Sequence, residues 1–190
     1  MKGMNSVKEK ETYMLKIGNI IRELPIIQVS EDLKIASFVV LGDTEVATDS
    51  AAIISEKLPE ADFLVTAEAK GIPFVHEVAK NLGMPRYIVA RKTLKAYMDR
   101  PLEKTVRSIT TQKEQTLILD GPDADLIKGK RVILIDDVIS TGESIRALEE
   151  LVADAGAEVV ARAAILAEGD AAEREDLIFL GKLPLFPIEQ

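Results

Sequence analysis

Two adjacent carboxylates follow an apolar run and precede a cluster of small and hydroxyl side chains in VILIDDVISTGES, residues 132–144. The carboxylates can accept hydrogen bonds from sugar hydroxyls, or they can hold Mg²⁺. The cluster lies just before a predicted helix, where free backbone N–H groups favour an anion such as phosphate. The carboxylates belong to Asp136 and Asp137, and the cluster contains Ser140, Thr141, Gly142 and Ser144. This spacing predicts a ligand with a phosphate at one end and vicinal hydroxyls nearby, such as a ribose 5-phosphate unit.

Each half of this stretch also has a purely structural explanation. Many α/β proteins end a strand in Asp, and many helices are capped by Ser or Thr. The complete pattern at this spacing favours a functional site over the structural explanation. The chain has neither GxxxxGK[ST] nor GxGxxG, which disfavours a nucleoside triphosphatase or a dinucleotide-binding protein.

The elements around the stretch alternate between strands and helices. Short apolar runs predict strands, and amphipathic segments between them predict helices. The predicted strands are 63–66, 87–90, 132–135 and 159–166, and the predicted helices are 72–82 and 144–155. This order predicts an α/β fold with a central, mainly parallel sheet flanked by helices. Ligands of such sheets bind beyond the carboxyl ends of the strands, where the acid pair is placed.

The segments outside this alternation have their own patterns. Met14, Ile17, Ile21 and Leu24 are spaced as on one helix face, which predicts an N-terminal helix over 7–24. Strands at 26–29 and 35–40 and a helix capped by Asp43 or Thr44 are expected to follow. Residues 105–110 and 115–119 alternate like two strands around an exposed loop, which is the expected place for a lid over the site.

Composition limits the class of protein. The 190 residues are expected to form a single domain over 1–190, and the net charge of −8 argues against broad nucleic-acid binding. There is no Cys, and no apolar run of membrane-spanning or signal-peptide length. We therefore expect a cytoplasmic protein that has no membrane or nucleic-acid partner.

Residues 132–144 resemble the phosphoribosyl-diphosphate (PRPP) binding motif of type I phosphoribosyltransferases. FLVTAEAKGIPFVHEVAKNLGMP is similar to that family's pyrophosphate loop and the helix after it, and YIVARKTLKAY to its strand ending in basic residues. SITTQKEQTL occupies the position of the flexible catalytic loop. The resemblance covers 63–166 well and the ends loosely, and it is strongest to the adenine and xanthine branch.

The resemblance implies an activity. A purine phosphoribosyltransferase moves the ribose 5-phosphate of PRPP to a purine base, releasing pyrophosphate, and adenine is the first expectation. Xanthine or hypoxanthine as the base, and a PRPP-sensing regulatory protein without catalysis, are the alternatives, and a pyrimidine base stays open. The resemblance also implies Mg²⁺ as cofactor, PRPP and a purine base as ligands, and a homodimer.

The resemblance assigns roles to the polar residues of the loops. Asp136 and Asp137 would hold the ribose hydroxyls, directly or through Mg²⁺, and Lys92 and Glu114 are the remaining candidate catalytic residues. The 5-phosphate would be bound by Ser140, Thr141, Gly142, Glu143 and Ser144. Pyrophosphate would be bound by Ala67, Glu68, Ala69, Lys70, Gly71 and Arg91.

The base is expected to lie against Val138 and Ile139, under a hood formed by the terminal segments (about 1–60), with Ile27 in it. Two positions depart from the family pattern. Glu143 stands where many members have a small residue, and the 108–115 loop has no Tyr. His76, the only histidine, is expected to be structural or on the surface, and residues 168–176 are expected to form a solvated turn.

Overall fold

The computed structural model describes residues 11–107 and 114–188. The strands are β1 Thr12–Ile17, β2 Ile20–Gln28, β3 Leu33–Ala36, β4 Phe63–Ala67, β5 Ile88–Ala90, β6 Leu102–Arg107, β7 Glu114–Leu119, β8 Arg131–Ile139, β9 Glu158–Glu168, β10 Leu177–Leu183 and β11 Leu185–Pro187. The α-helices are α1 Thr44–Ser55, α2 Ile72–Asn81, α3 Gly121–Ile127 and α4 Glu143–Asp154. A 3₁₀ turn covers Gly169–Glu173.

The central sheet has five strands in the order β10-β9-β8-β4-β5, and every neighbouring pair is parallel. Helices cover both faces, so β8 is apolar and fully buried from Val132 to Ile135. The predicted α/β fold with a parallel sheet and flanking helices is confirmed. Because the strands are parallel, the carboxyl ends of β4, β5 and β8 lie at one edge.

The hydrophobic core has two parts, one on each face of the sheet. One part includes Phe74 of α2 and Ile54 of α1, together with side chains of β1 and β2. The other includes Leu148 of α4, Ile127 of α3 and Leu117 of β7. The first part therefore attaches the terminal strands to the sheet, and the second attaches the β6–β7 hairpin.

The predicted helix over 7–24 is wrong, because β1 and β2 form an antiparallel hairpin in its described part. Leu15 and Ile17 are buried in alternation, whereas Met14 is 59% exposed and Ile21 56% exposed. Gly18 adopts φ +57° in the turn. The true period is two, and a Gly-Asn pair between apolar runs is a hairpin signal.

A second sheet, in the order β1-β2-β3-β11, is formed by segments near both ends of the described chain, and its role as a hood over the base stays a prediction. It combines residues 12–36 with the strand β11 near the other end of the described chain. Arg22 of β2 connects this sheet to α1 through Asp43 and Glu45.

The hairpin predicted from 105–119 is confirmed, with β6 and β7 antiparallel and in register from Leu102↔Leu119 to Arg107↔Glu114. Lys104 of β6 forms an ion pair with Asp154 of α4 at 2.9 Å. Most of the predicted lid, 108–113, lies outside the described residues. Within the described ranges, no helix is long and apolar enough to cross a membrane.

Candidate active site

The acid pair lies in the last part of β8, which continues to Ile139 rather than ending at 135 as predicted. Asp137 is 5% exposed, and its Oδ2 has no hydrogen-bond partner among the described residues. The Asp137 N–H donates to Asp136 Oδ1 at 2.8 Å. Burial and the neighbouring Asp137 carboxylate raise the pKa of Asp136 to about 8, while the Lys70 ammonium opposes this rise. The buried Oδ2 of Asp137 therefore lacks a partner, which a ligand hydroxyl or a bound cation can supply.

The predicted pyrophosphate loop contacts the acid pair directly. A β-carbon placed on Gly71 would lie 2.4 Å from Thr66 Oγ1 and 3.1 Å from Asp136 Oδ1. Only glycine permits this approach of the loop between β4 and α2 to β8. The Glu68–Ala69 peptide bond is cis. Ala69 and Lys70 are exposed, and Ala67 is buried at the end of β4.

Glu68 connects this loop to the basic segment after β5. Its Oε2 accepts hydrogen bonds from Arg91 Nε at 2.5 Å and from the Lys92 N–H at 3.1 Å. Burial opposes ionisation, but these donors outweigh it and lower the pKa of Glu68. The Glu68 carboxylate thus orients Arg91, while the Lys92 side chain is exposed at the same edge. Glu68, predicted as a pyrophosphate contact, is placed to act through Arg91.

The loop after β8 leads into α4 through Gly142, which has φ +79°. Ser140, Gly142 and Ser144 are half-buried and Thr141 is exposed. Gly142 provides no side-chain cap and the Glu143 N–H donates to Thr141 Oγ1 at a long 3.5 Å, so the other backbone N–H groups at the start of α4 can bind an anion. Glu143, which has an interaction of its own, is the first residue of α4.

Arg174 lies at the edge of the candidate site and is not predicted from the sequence. A β-carbon placed on Gly142 would lie 2.8 Å from Arg174 Nη1. Asp176 holds the guanidinium through Nε at 2.9 Å and Nη2 at 2.8 Å. Arg174 thus packs against the predicted phosphate loop, residues 140–144, and lines a pocket of about 530 Å³. The expected solvated turn is a 3₁₀ turn followed by this arginine, and no local signal in an acidic run could have revealed its long-range contact.

The predicted base-binding residues fall in different environments. Val138 is half-buried and packs against the first core part, whereas Ile139 is 3% exposed within the second. Ile27 lies on β2 and is 43% exposed. The backbone of Glu114 begins β7, and its side chain lies outside the described part. His76 of α2 is exposed and packs edge-on against Tyr87, in keeping with a structural or surface position.

The residues present fit Mg²⁺ only together with a substrate. No group of three or more His, Cys, Asp or Glu forms a metal cage within residues 11–107 and 114–188. The unpartnered Oδ2 of Asp137 and the adjacent Asp136 carboxyl offer two oxygen ligands. Mg²⁺ commonly takes one or two carboxylates and completes its shell with waters and substrate phosphates.

The parallel sheet carries a glycine-containing loop, an acid pair and a basic segment at the carboxyl ends of its strands, which is the edge where ligands of such sheets bind. The model of the phosphoribosyl transferase domain matches residues 44–180. The chain belongs to this family, and the resemblance found from the loops is confirmed.

Relatives of this chain include enzymes named for different purines. It is 30% identical over 160 residues to a hypoxanthine/guanine phosphoribosyltransferase of Methanotorris igneus, covering 75% of this chain and 83% of that protein. It is 34% identical over 123 residues to an adenine phosphoribosyltransferase of Thermosipho africanus, covering 64% and 69%. The chain spans about half the length of the first curated relatives it matches, between 47% and 58%.

The fold also matches a solved structure. The adenine phosphoribosyltransferase of Thermoanaerobacter pseudethanolicus superposes with a TM-score of 0.69 over 84% of this chain and 95% of that one. The identity is 22%, so the match shows the fold.

Proposed function

We propose that this chain is a purine phosphoribosyltransferase that transfers the ribose 5-phosphate of PRPP to a purine base, with adenine as the first candidate. The observation that carries the proposal is the close approach of Gly71 to Asp136, since a β-carbon placed on Gly71 would lie 3.1 Å from Asp136 Oδ1. It brings the predicted pyrophosphate loop against the predicted ribose-binding acids. Both parts of one PRPP molecule can then be bound at a single sheet edge.

Each loop would hold one part of PRPP. Backbone N–H groups and hydroxyls from 140–144 would bind the 5-phosphate, and the acid pair would accept hydrogen bonds from the ribose hydroxyls. The exposed Lys70 and Lys92, with Arg91 held by Glu68, would face the pyrophosphate. Val138 would lie against the base, with Ile139 supporting it from the core and Ile27 contributed by the second sheet.

The reaction is a substitution at C1 of the ribose. A purine ring nitrogen forms a bond to C1 while the bond from C1 to the pyrophosphate oxygen breaks, and that electron pair leaves with pyrophosphate. The proton on that purine nitrogen passes to the released pyrophosphate or to water, giving a nucleoside 5′-monophosphate. Fixed cations near the leaving oxygens stabilise the charge that develops there, and Glu114 is the candidate acid. Mg²⁺, held by Asp136 and Asp137, would add positive charge beside the pyrophosphate.

Hypoxanthine or guanine is the second candidate base, because the Methanotorris igneus relative is named for them and is covered over 83% of its length. Xanthine stays an alternative from the sequence, as does a PRPP sensor without catalysis. The proposal also includes a homodimer, a requirement for Mg²⁺ and a cytoplasmic location.

Pyrophosphate release tests this proposal. The protein is incubated with PRPP, Mg²⁺ and, separately, adenine, hypoxanthine, guanine, xanthine, uracil and orotate. An Asp136→Asn, Asp137→Asn double variant is the control. We expect release with a purine, at least a hundredfold slower in the variant, roughly the effect of losing a positioning carboxylate pair. Release with a pyrimidine alone, or undiminished in the variant, would contradict the assignment. PRPP binding without release would favour the sensor.

A further inference from the structure

The β6–β7 hairpin contacts the phosphate loop through one pair of side chains. Ser144 Oγ lies 3.2 Å from Gln115 Nε2 and also 3.2 Å from Gln115 Oε1. Both residues are partly buried, and they are 29 positions apart in the chain. Ser144 is a predicted ligand of the 5-phosphate, whereas Gln115 has no role in the proposed reaction so far.

The two distances allow two hydrogen-bond arrangements without movement of either side chain. In one, the Ser144 hydroxyl donates its single proton to Gln115 Oε1. In the other, the hydroxyl accepts from Gln115 Nε2, which leaves its proton free to be donated elsewhere. A phosphate oxygen is an acceptor, so only the second arrangement lets Ser144 bind it.

We propose that Gln115 is a positioning residue for the 5-phosphate: its amide holds the Ser144 hydroxyl when the site is empty and leaves its proton to the phosphate when the site is filled. This inference rests on the proposed function. The amide is suited to it because it offers an acceptor and a donor side by side. A carboxylate at this position could only accept.

The backbone around Gln115 is held from two directions, so the amide has a defined position. In β7, Ile118 and Arg91 exchange backbone hydrogen bonds, from Arg91 N to Ile118 O at 2.7 Å and from Ile118 N to Arg91 O at 2.8 Å. In β6, Lys104 pairs with Asp154 of α4. The hairpin thus contacts both Arg91, on the pyrophosphate side, and Ser144, on the phosphate side.

The test titrates the 190-residue chain with ribose 5-phosphate and, separately, with pyrophosphate, in Mg²⁺, by calorimetry. Gln115→Met keeps the length of the side chain and removes both hydrogen-bonding atoms, and Gln115→Glu keeps only acceptors. Thr116→Val is the matched control on the same strand. It removes the Thr105–Thr116 hydroxyl contact of 2.9 Å and leaves Ser144 untouched.

We expect Gln115→Met to weaken ribose 5-phosphate binding about five- to tenfold, the scale of one hydrogen bond, and Gln115→Glu to weaken it further. Pyrophosphate affinity should stay at the wild-type value in both variants. In a Ser144→Ala background the Gln115→Met change should have no added effect, because the hydroxyl it orients is gone.

Equal ribose 5-phosphate affinity in wild type and Gln115→Met would overturn this inference alone. Equal loss of both ligands, or additive effects with Ser144→Ala, would also overturn it, since a general structural role would explain them. A wild type that binds neither ribose 5-phosphate nor pyrophosphate would overturn the proposed function, and this inference with it.

Discussion

Two carboxyl groups next to each other in a largely buried place disfavour ionisation of one of them. Because burial and Asp137 raise the pKa of Asp136 from 3.8 to about 8, the native state keeps a proton that the unfolded state loses. The free energy of unfolding should therefore fall as pH rises between these two values and level off above them. Without ligand, the acid pair costs stability at neutral pH, and this cost is what a bound cation or donor would relieve.

Asp136→Asn removes this ionisation, so its stability relative to wild type should increase as pH rises. Urea unfolding at about pH 5, 7 and 9, without Mg²⁺ or PRPP, measures it. A difference between Asp136→Asn and wild type that stays constant with pH would contradict the electrostatic account.

Gly71 is required by its neighbours rather than by its backbone angles. A methyl group there would meet Thr66 Oγ1 at 2.4 Å, so Gly71→Ala should lower the free energy of unfolding by about 1–3 kcal/mol, as overpacking does. Removing the hydroxyl with Thr66→Ala in the same chain should recover part of that loss. Urea unfolding of the two single variants and the double variant would reveal the coupling, and purely additive effects would show that the contact is unimportant.

At the scale of elements, Asp43 joins the second sheet to the start of α1. Its Oδ1 accepts from the Val46 N–H at 3.1 Å, and Arg22 of β2 donates to both of its oxygens, at 2.7 and 3.0 Å. Hydrogen bonding to Arg22 lowers the pKa of Asp43, so this stabilisation is present above the ordinary pKa and is lost as pH falls through the lowered one.

Asp43→Ala removes both the cap and the ion pair, and should cost about 1–2 kcal/mol. Asp43→Asn can keep the cap, and Arg22→Gln removes the pair while leaving the cap intact, so each should cost less. Thermal or urea unfolding at neutral pH separates the two contributions. Equal losses for Asp43→Ala and Asp43→Asn would mean that the cap adds nothing.

The predicted phosphate loop, residues 140–144, contains a left-handed residue, Gly142, just before α4. Gly142→Ala places an L-residue at φ +79°, which costs about 1–2 kcal/mol, and so does Gly129→Ala at φ +70° in an open turn. Only the first should also weaken ribose 5-phosphate binding in a titration, because Gly142 lies within the predicted phosphate loop. If both variants bound ribose 5-phosphate equally well, the loop containing Gly142 would not be the phosphate site.

At the scale of the whole molecule, the central sheet is predictable because short segments of the sequence carry its pattern. Uninterrupted apolar runs such as 132–135 become strands covered on both faces, and α2 and α4 have polar and apolar faces at helical spacing. The family resemblance assigns Gly71 and Asp136 to one ligand, and the parallel strand order brings both to one edge of the sheet.

The N-terminal hairpin was missed because four apolar residues matched a helical spacing by chance. The Gly18–Asn19 turn between them breaks a helix, and it was the stronger signal. The contacts of Arg174 with Gly142 and of Gln115 with Ser144 could not be predicted. They join residues that are far apart in the chain, through side chains whose local sequence has no pattern of its own.

The central claim is that one edge of the sheet binds PRPP through the acid pair and the loops around it. The most direct measurement is a calorimetric titration of PRPP with Mg²⁺ into the wild type and into the Asp136→Asn, Asp137→Asn double variant. The account predicts saturable one-site binding by the wild type and at least a hundredfold weaker binding by the variant, about 2.7 kcal/mol. No binding by the wild type, or equal binding by the two proteins, would contradict it.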